Sequence, residues 1–99
     1  MYLIGDIGNT ITKMCLVDIK SFKIRKIIYF NSRYISSKKM LKKNLKKILM
    51  NKSTIKVALF SIVVSKYQLV LKKYLKKNYK IKLIEIKERT INKIVKITH

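Results

Sequence analysis

The chain has 99 residues, 48% of them hydrophobic, and 25 Lys and Arg against four Asp and Glu give a net charge of +21. That bounds it to one small domain or a piece of a larger protein, apolar enough for a core and too apolar for a disordered chain, with no run long enough to span a bilayer. Cys15 is the one cysteine, which excludes an internal disulfide and a Cys-rich metal site, and Met1-Tyr2-Leu3-Ile4 leads into Gly5 and Asp6 without the basic start of a signal peptide, so a cytoplasmic protein is expected.

Tyr2 to Ile7 reads as a short buried strand. Ile11 to Asp18 reads as a second, with Ile11, Lys13, Cys15 and Val17 on one face and Thr12, Met14 and Leu16 on the other. Only Gly8-Asn9-Thr10 lies between them, so a tight hairpin is expected. A turn around Ile19-Lys20-Ser21 leads to a third strand, Phe22 to Phe30. The period then changes. Over Ser36 to Met50, Met40, Leu41, Leu45, Ile48 and Leu49 form one helical stripe, with six lysines opposite, Ser36 or Ser37 as N-cap and Asn51-Lys52-Ser53 as the stop. Lys56 to Ser61, continuing through Val64, reads as a buried strand. Ser65 to Lys77 reads as a second helix with Tyr67, Val70, Leu71, Tyr74 and Leu75 as its apolar face, stopped near Asn78. Tyr79 to Ile86 reads as a fifth strand, and Lys87 to His99 as a tail without a closing turn.

Hairpins make the first three strands antiparallel, and helical crossovers make the later ones parallel. The expectation is therefore an α/β domain over residues 1–86, with a mixed five-stranded sheet in the order β-β-β-α-β-α-β and a tail over 87–99.

The charge taken alone points to nucleic acid or an anionic membrane. Composition tempers that reading. Only Arg25, Arg33 and Arg89 are Arg, Gly is scarce and Pro absent, while Lys, Ile and Asn, all with A/T-rich codons, abound. Genome-wide nucleotide bias gives that profile, whereas selection for base or phosphate readout favours the planar fork of Arg. Self-repulsion should make the fold marginal and salt-stabilised. Tyr29, Tyr34, Tyr67, Tyr74 and Tyr79 interleave with Lys, which would suit base stacking, but Tyr67 and Tyr74 fall on the core stripe. Both lysine faces read as solvated rather than lipid-bound, Glu85 and Glu88 as partners for nearby lysines, His99 as a solvated terminal imidazole, and Cys15 as a buried thiol.

The chemistry concentrates in Gly5-Asp6-Ile7-Gly8-Asn9-Thr10 with Lys13, which holds both glycines of the chain. A Gly/Asn turn presents backbone N–H groups as an anion nest, and Gly8 allows close backbone approach and a positive φ. Thr10 and Thr12 hydroxyls can donate to phosphate oxygens, Lys13 adds a point charge, and Asp6 can hold Mg²⁺ through water. The plain alternative is a hairpin turn with Asp6 solvated.

Asp6-Ile7-Gly8-Asn9-Thr10 with Lys13 resembles the first phosphate motif, D-x-G-N-T-x-x-K, of the type III pantothenate kinases. These belong to the actin-like and sugar-kinase superfamily, built on ribonuclease H-like domains. Phe60-Ser61-Ile62-Val63-Val64 resembles the family's S-x-V-V-P strand end, with Ser65 where Pro is usual. The resemblance implies ATP-dependent phosphorylation of pantothenate, the first step of coenzyme A synthesis, by a cytoplasmic homodimer using Mg²⁺ and a monovalent cation (K⁺ or NH₄⁺). It makes Asp6, Gly8, Asn9, Thr10 and Lys13 the ATP-phosphate residues, with Asp6 near the metal. The family's G-x-D-R motif, whose Asp is the general base and whose Arg helps bind substrate, has no match here, since no Asp, Glu or Gly follows Glu88. The expectation is an N-terminal half of such a kinase, a truncated or decayed reading frame inactive alone and of doubtful dimerisation. The alternative is a small basic nucleic-acid-binding protein.

Overall fold

The computed structural model describes residues 1–49 and 55–86. Among the described residues there are five strands: β1 (Tyr2–Ile7), β2 (Ile11–Asp18), β3 (Lys23–Asn31), β4 (Val57–Ile62) and β5 (Lys82–Glu85). Between them lie a 3₁₀ turn (Ser32–Ser36) and two helices, α1 (Lys38–Leu49) and α2 (Ser65–Tyr79). The strands form one sheet in the order β3-β2-β1-β4-β5. β1–β2 and β2–β3 are antiparallel, and β1–β4 and β4–β5 are parallel. This is the expected mixed α/β sheet, compatible with a ribonuclease H-like, actin-like fold.

Period-two alternation divides the strands between two faces. Leu3, Ile7, Met14, Leu16, Ala58, Phe60 and Leu83 join Leu41, Leu45, Ile48, Tyr67, Leu71 and Leu75 of the helices in the main core. Both helices therefore cover the same face of the sheet. On the other face Ile4, Cys15 and Val17 form a smaller cluster, flanked by Ile24, Ile27 and Leu59. Gly5 belongs to the helix face, opposite Phe60 in the parallel pair. A Cβ on Gly5 would fall on the Phe60 ring, with Cδ2 only 2.6 Å away and two other ring atoms nearer still. The largest fully buried ring of the core thus fits only because residue 5 has no side chain.

Several boundaries move for identifiable reasons. β3 begins at Lys23, because Phe22 turns the chain with φ 55° and half its surface exposed. Its end runs to Asn31, whose side chain accepts the Arg33 N–H and opens the 3₁₀ turn, an element too short for a period to reveal. Ser37 is the α1 cap, its Oγ accepting the Met40 N–H at 3.3 Å. α2 runs past Asn78 to Tyr79 and ends at Lys80, in the left-handed region (φ 56°) with its N–H on the carbonyls of Leu75 and Lys76. Val70 of the expected apolar face is 39% exposed, and Leu75 and Leu71 carry the packing with Tyr67. The expected stop at Asn51-Lys52-Ser53, and the tail from Lys87 with Glu88 and His99, lie outside the described residues.

Candidate functional site

β1 and β4 run parallel and end at the same edge of the sheet. There the Val63 N–H bonds the Ile7 carbonyl at 2.9 Å, and the chain turns into α2 at Ser65. The Gly8-Asn9-Thr10 loop leaves β1 at that edge. In open α/β sheets the carboxyl ends of parallel strands are where ligands bind, because loops and helix N-termini converge there.

The strand registers place one polar row across the sheet. Asp6 on β1 faces Lys13 on β2 and Ser61 on β4, and Lys13 in turn faces Tyr29 on β3. The row lies on the face away from the helices, since its neighbours along the strands are Ile4, Cys15 and Leu59. The Lys13 ammonium stands 5.8 Å from the centroid of the Tyr29 ring, which is 63% exposed. That contact leaves the charge at the rim of the loop rather than in the core. Ser61, only 5% exposed, was legible as part of the S-x-V-V segment but not as a neighbour of Asp6.

The loop itself is a three-residue hairpin. The Gly8 N–H donates to the Ile11 carbonyl at 3.1 Å, and Asn9 and Thr10 are exposed. Gly8 does not take a positive φ. Its reason for being glycine is space: a Cβ would sit 3.0 Å from the Ile11 oxygen. Thr12 also departs from expectation. It is fully buried on the helix face, with its hydroxyl 2.8 Å from Ser32 Oγ, so it is a structural group and not a phosphate donor. Ser32, which no sequence motif marks, is fully buried as well, and its hydroxyl donates to the Gly8 carbonyl at 2.7 Å. The residues thus brought to one edge are Asp6, Gly8, Asn9, Thr10 and Lys13, with Ser61 beside Asp6.

The donor chemistry suits a magnesium nucleotide. Among the described residues no three His, Cys, Asp or Glu side chains cluster as a protein cage for a metal. One carboxylate next to a loop of amides and a lysine fits Mg²⁺, which keeps its waters and takes most remaining ligands from phosphate oxygens. Burial pushes the Cys15 thiol above its ordinary value, against the opposing pull of Lys13, so this neighbour of the row is a protonated, unreactive group. Asp18 lies at the far end of the sheet, where a hydrogen bond from Arg25 holds its carboxyl below the usual range. Lysine-lined hollows occur between α1 and α2 and between α2 and β5, and no residue of the Asp6-to-Lys13 segment lines either one. Tyr34, Tyr74 and Tyr79 pack against the core and Tyr67 is buried in it, so of the five tyrosines interleaved with lysine only Tyr29 presents an open ring.

The model of the type III pantothenate kinase family matches residues 2–99. The chain belongs to that family. It is similar to the type III pantothenate kinase of Pelagibacter ubique (strain HTCC1062), with 42% identity over 100 residues. The match takes in 98% of this chain and 38% of that relative, so the chain spans well under half the relative's length. No helix among the described residues is long and apolar enough to cross a membrane.

Proposed function

We propose that this chain holds the phosphates of ATP for a type III pantothenate kinase reaction, phosphorylation of a pantothenate hydroxyl at the start of coenzyme A synthesis. The observation that carries the reading is the placement of the Gly8-Asn9-Thr10 hairpin at the carboxyl edge of the sheet, between Asp6 and Lys13 in direct cross-strand register. The backbone amides of the loop and the Thr10 hydroxyl bind phosphate oxygens, and Lys13 neutralises their charge. Asp6 would hold Mg²⁺ through water, and the ion would supply charge neutralisation for the phosphoryl group. Phosphoryl transfer depends mostly on such positioning, which a loop fixed by a sheet provides. The assignment gives these residues the nucleotide and leaves the substrate's proton acceptor to residues outside this segment.

A chimera tests it. This chain replaces the matching segment of the Pelagibacter ubique relative, and formation of phosphopantothenate is followed. Activity dependent on both ATP and pantothenate is expected, falling by about a hundredfold or more in Asp6→Ala, as loss of a phosphate or metal contact does. A folded chimera without activity, or one indifferent to Asp6→Ala and Lys13→Ala, would contradict the reading.

A further inference from the structure

We propose that Ser32 is a positioning residue that sets the direction of the hairpin amides, turning the Asn9 N–H toward the nucleotide phosphate; this rests on the phosphate-binding reading above. Ser32 touches the loop twice and the strand behind it once. Its hydroxyl donates to the Gly8 carbonyl at 2.7 Å, its N–H donates to the Thr10 carbonyl at 2.8 Å, and its Oγ lies 2.8 Å from Thr12 Oγ1. A carbonyl cannot donate, so the single Ser32 hydroxyl proton goes to Gly8. The Thr12 hydroxyl must then be the donor to Ser32 Oγ, which gives a directed chain from Thr12 to Ser32 to Gly8. Both side chains are fully buried, so water does not compete for the Thr12–Ser32 bond, and the Ser32–Gly8 bond is partly shielded.

The consequence follows from peptide geometry. In a planar trans peptide the C=O of one residue and the N–H of the next point in opposite directions, and no cis bond is present among the described residues. Drawing the Gly8 and Thr10 carbonyls toward Ser32 therefore turns the Asn9 and Ile11 N–H groups away from it. Two partial negative charges are also kept off the mouth of the loop, where an anion would meet them. Gly8 makes such a pin necessary. Without a Cβ, its ψ is soft and the Gly8–Asn9 peptide can flip, presenting its oxygen to the phosphate instead of its N–H.

The test uses the 99-residue chain, its Ser32→Ala and Thr12→Val variants, Mg-ATP titration, and amide exchange by NMR. Ser32→Ala should weaken Mg-ATP binding to the folded chain by about tenfold, the size of one lost hydrogen bond. It should also speed exchange of the Gly8 amide while the Leu71 amide stays unchanged. Thr12→Val, which leaves the Ser32–Gly8 bond in place, should lose less on both measures. A purely structural role would lower the unfolding midpoint and leave the affinity of the folded chain unaltered, and that result overturns the proposal. If Ser32→Ala does not fold, Ser32→Cys, nearly the same shape with a weaker donor, carries the same expectation. A wild-type chain that binds no Mg-ATP sinks the phosphate reading and the ligand named here, and the Gly8 exchange rates then judge the pin alone.

Discussion

Gly5 and Phe60 face each other across the parallel β1–β4 pair, and the Phe60 ring occupies the volume that a Cβ on residue 5 would need. The first glycine of the Gly5-to-Lys13 cluster is thus a packing residue, not a nucleotide residue. Gly5→Ala must push Phe60 off a fully buried position in contact with both sheet and helices. The expected loss is about 2 kcal/mol or more, the range of core overpacking. Urea denaturation of the chain measures it, and an unchanged midpoint would mean that the ring relaxes freely.

Ser65 opens α2 behind Val64, which offers no side-chain cap. At the first helical position the N–H has no intrahelical partner, and Val64 has φ −107° and ψ 105°, the extended conformation that a following proline requires. Ser65→Pro should therefore stabilise the chain by roughly 0.4–1 kcal/mol through a less disordered unfolded state. Thermal unfolding of the two forms at one salt concentration checks the sign.

The exposed side of α1 is all lysine. Lys43 has Lys39 and Lys47 four residues away on either side, pairs that repel. Lys43→Glu turns both repulsions into attractions and should add about 0.5–1 kcal/mol at low salt. Added salt should raise the wild-type melting temperature and narrow the difference between the two proteins. A wild-type melting temperature that falls with salt would remove self-repulsion as the reason for marginal stability.

Cys15 offers a pH readout next to the site. Burial raises its pKa, with Lys13 acting the other way. For an acid raised in the fold, the native state keeps a proton that the unfolded chain releases. Its contribution to stability is whole below the ordinary thiol pKa and is lost as pH climbs above that value. Iodoacetamide should therefore modify Cys15 at pH 8.5 more than about tenfold slower in the native chain than in urea. Lys13→Ala removes the lowering charge and should not make the native thiol faster.

Much of this arrangement is legible in the sequence because it is written in periodicity. The alternation of β2 puts Lys13 on one face and Thr12 with Met14 and Leu16 on the other. Thr12 is expected as a phosphate donor because its hydroxyl sits beside the motif, and its burial shows only once the helices cover that face. The same alternation groups Gly5 with Leu3 and Ile7 on the core face, but the demand of Phe60 for that space depends on a strand more than fifty residues later. Ser32 carries no local signal, because its partners Gly8 and Thr12 are 24 and 20 residues away. Lys80 ends α2 in a conformation usually left to Gly or Asn, so residue type pointed to Asn78, whose amide instead bonds the Tyr74 carbonyl.

Direct titration of the purified 99-residue chain with Mg-ATP, beside its Asp6→Ala and Lys13→Ala variants, bears most closely on the central claim. Saturable binding by the wild type, weakened at least about tenfold in each variant while all three remain folded, is the expected result. Binding that survives both substitutions, or a folded wild type that does not bind Mg-ATP, would contradict the assignment of the Asp6-to-Lys13 hairpin to the nucleotide phosphates.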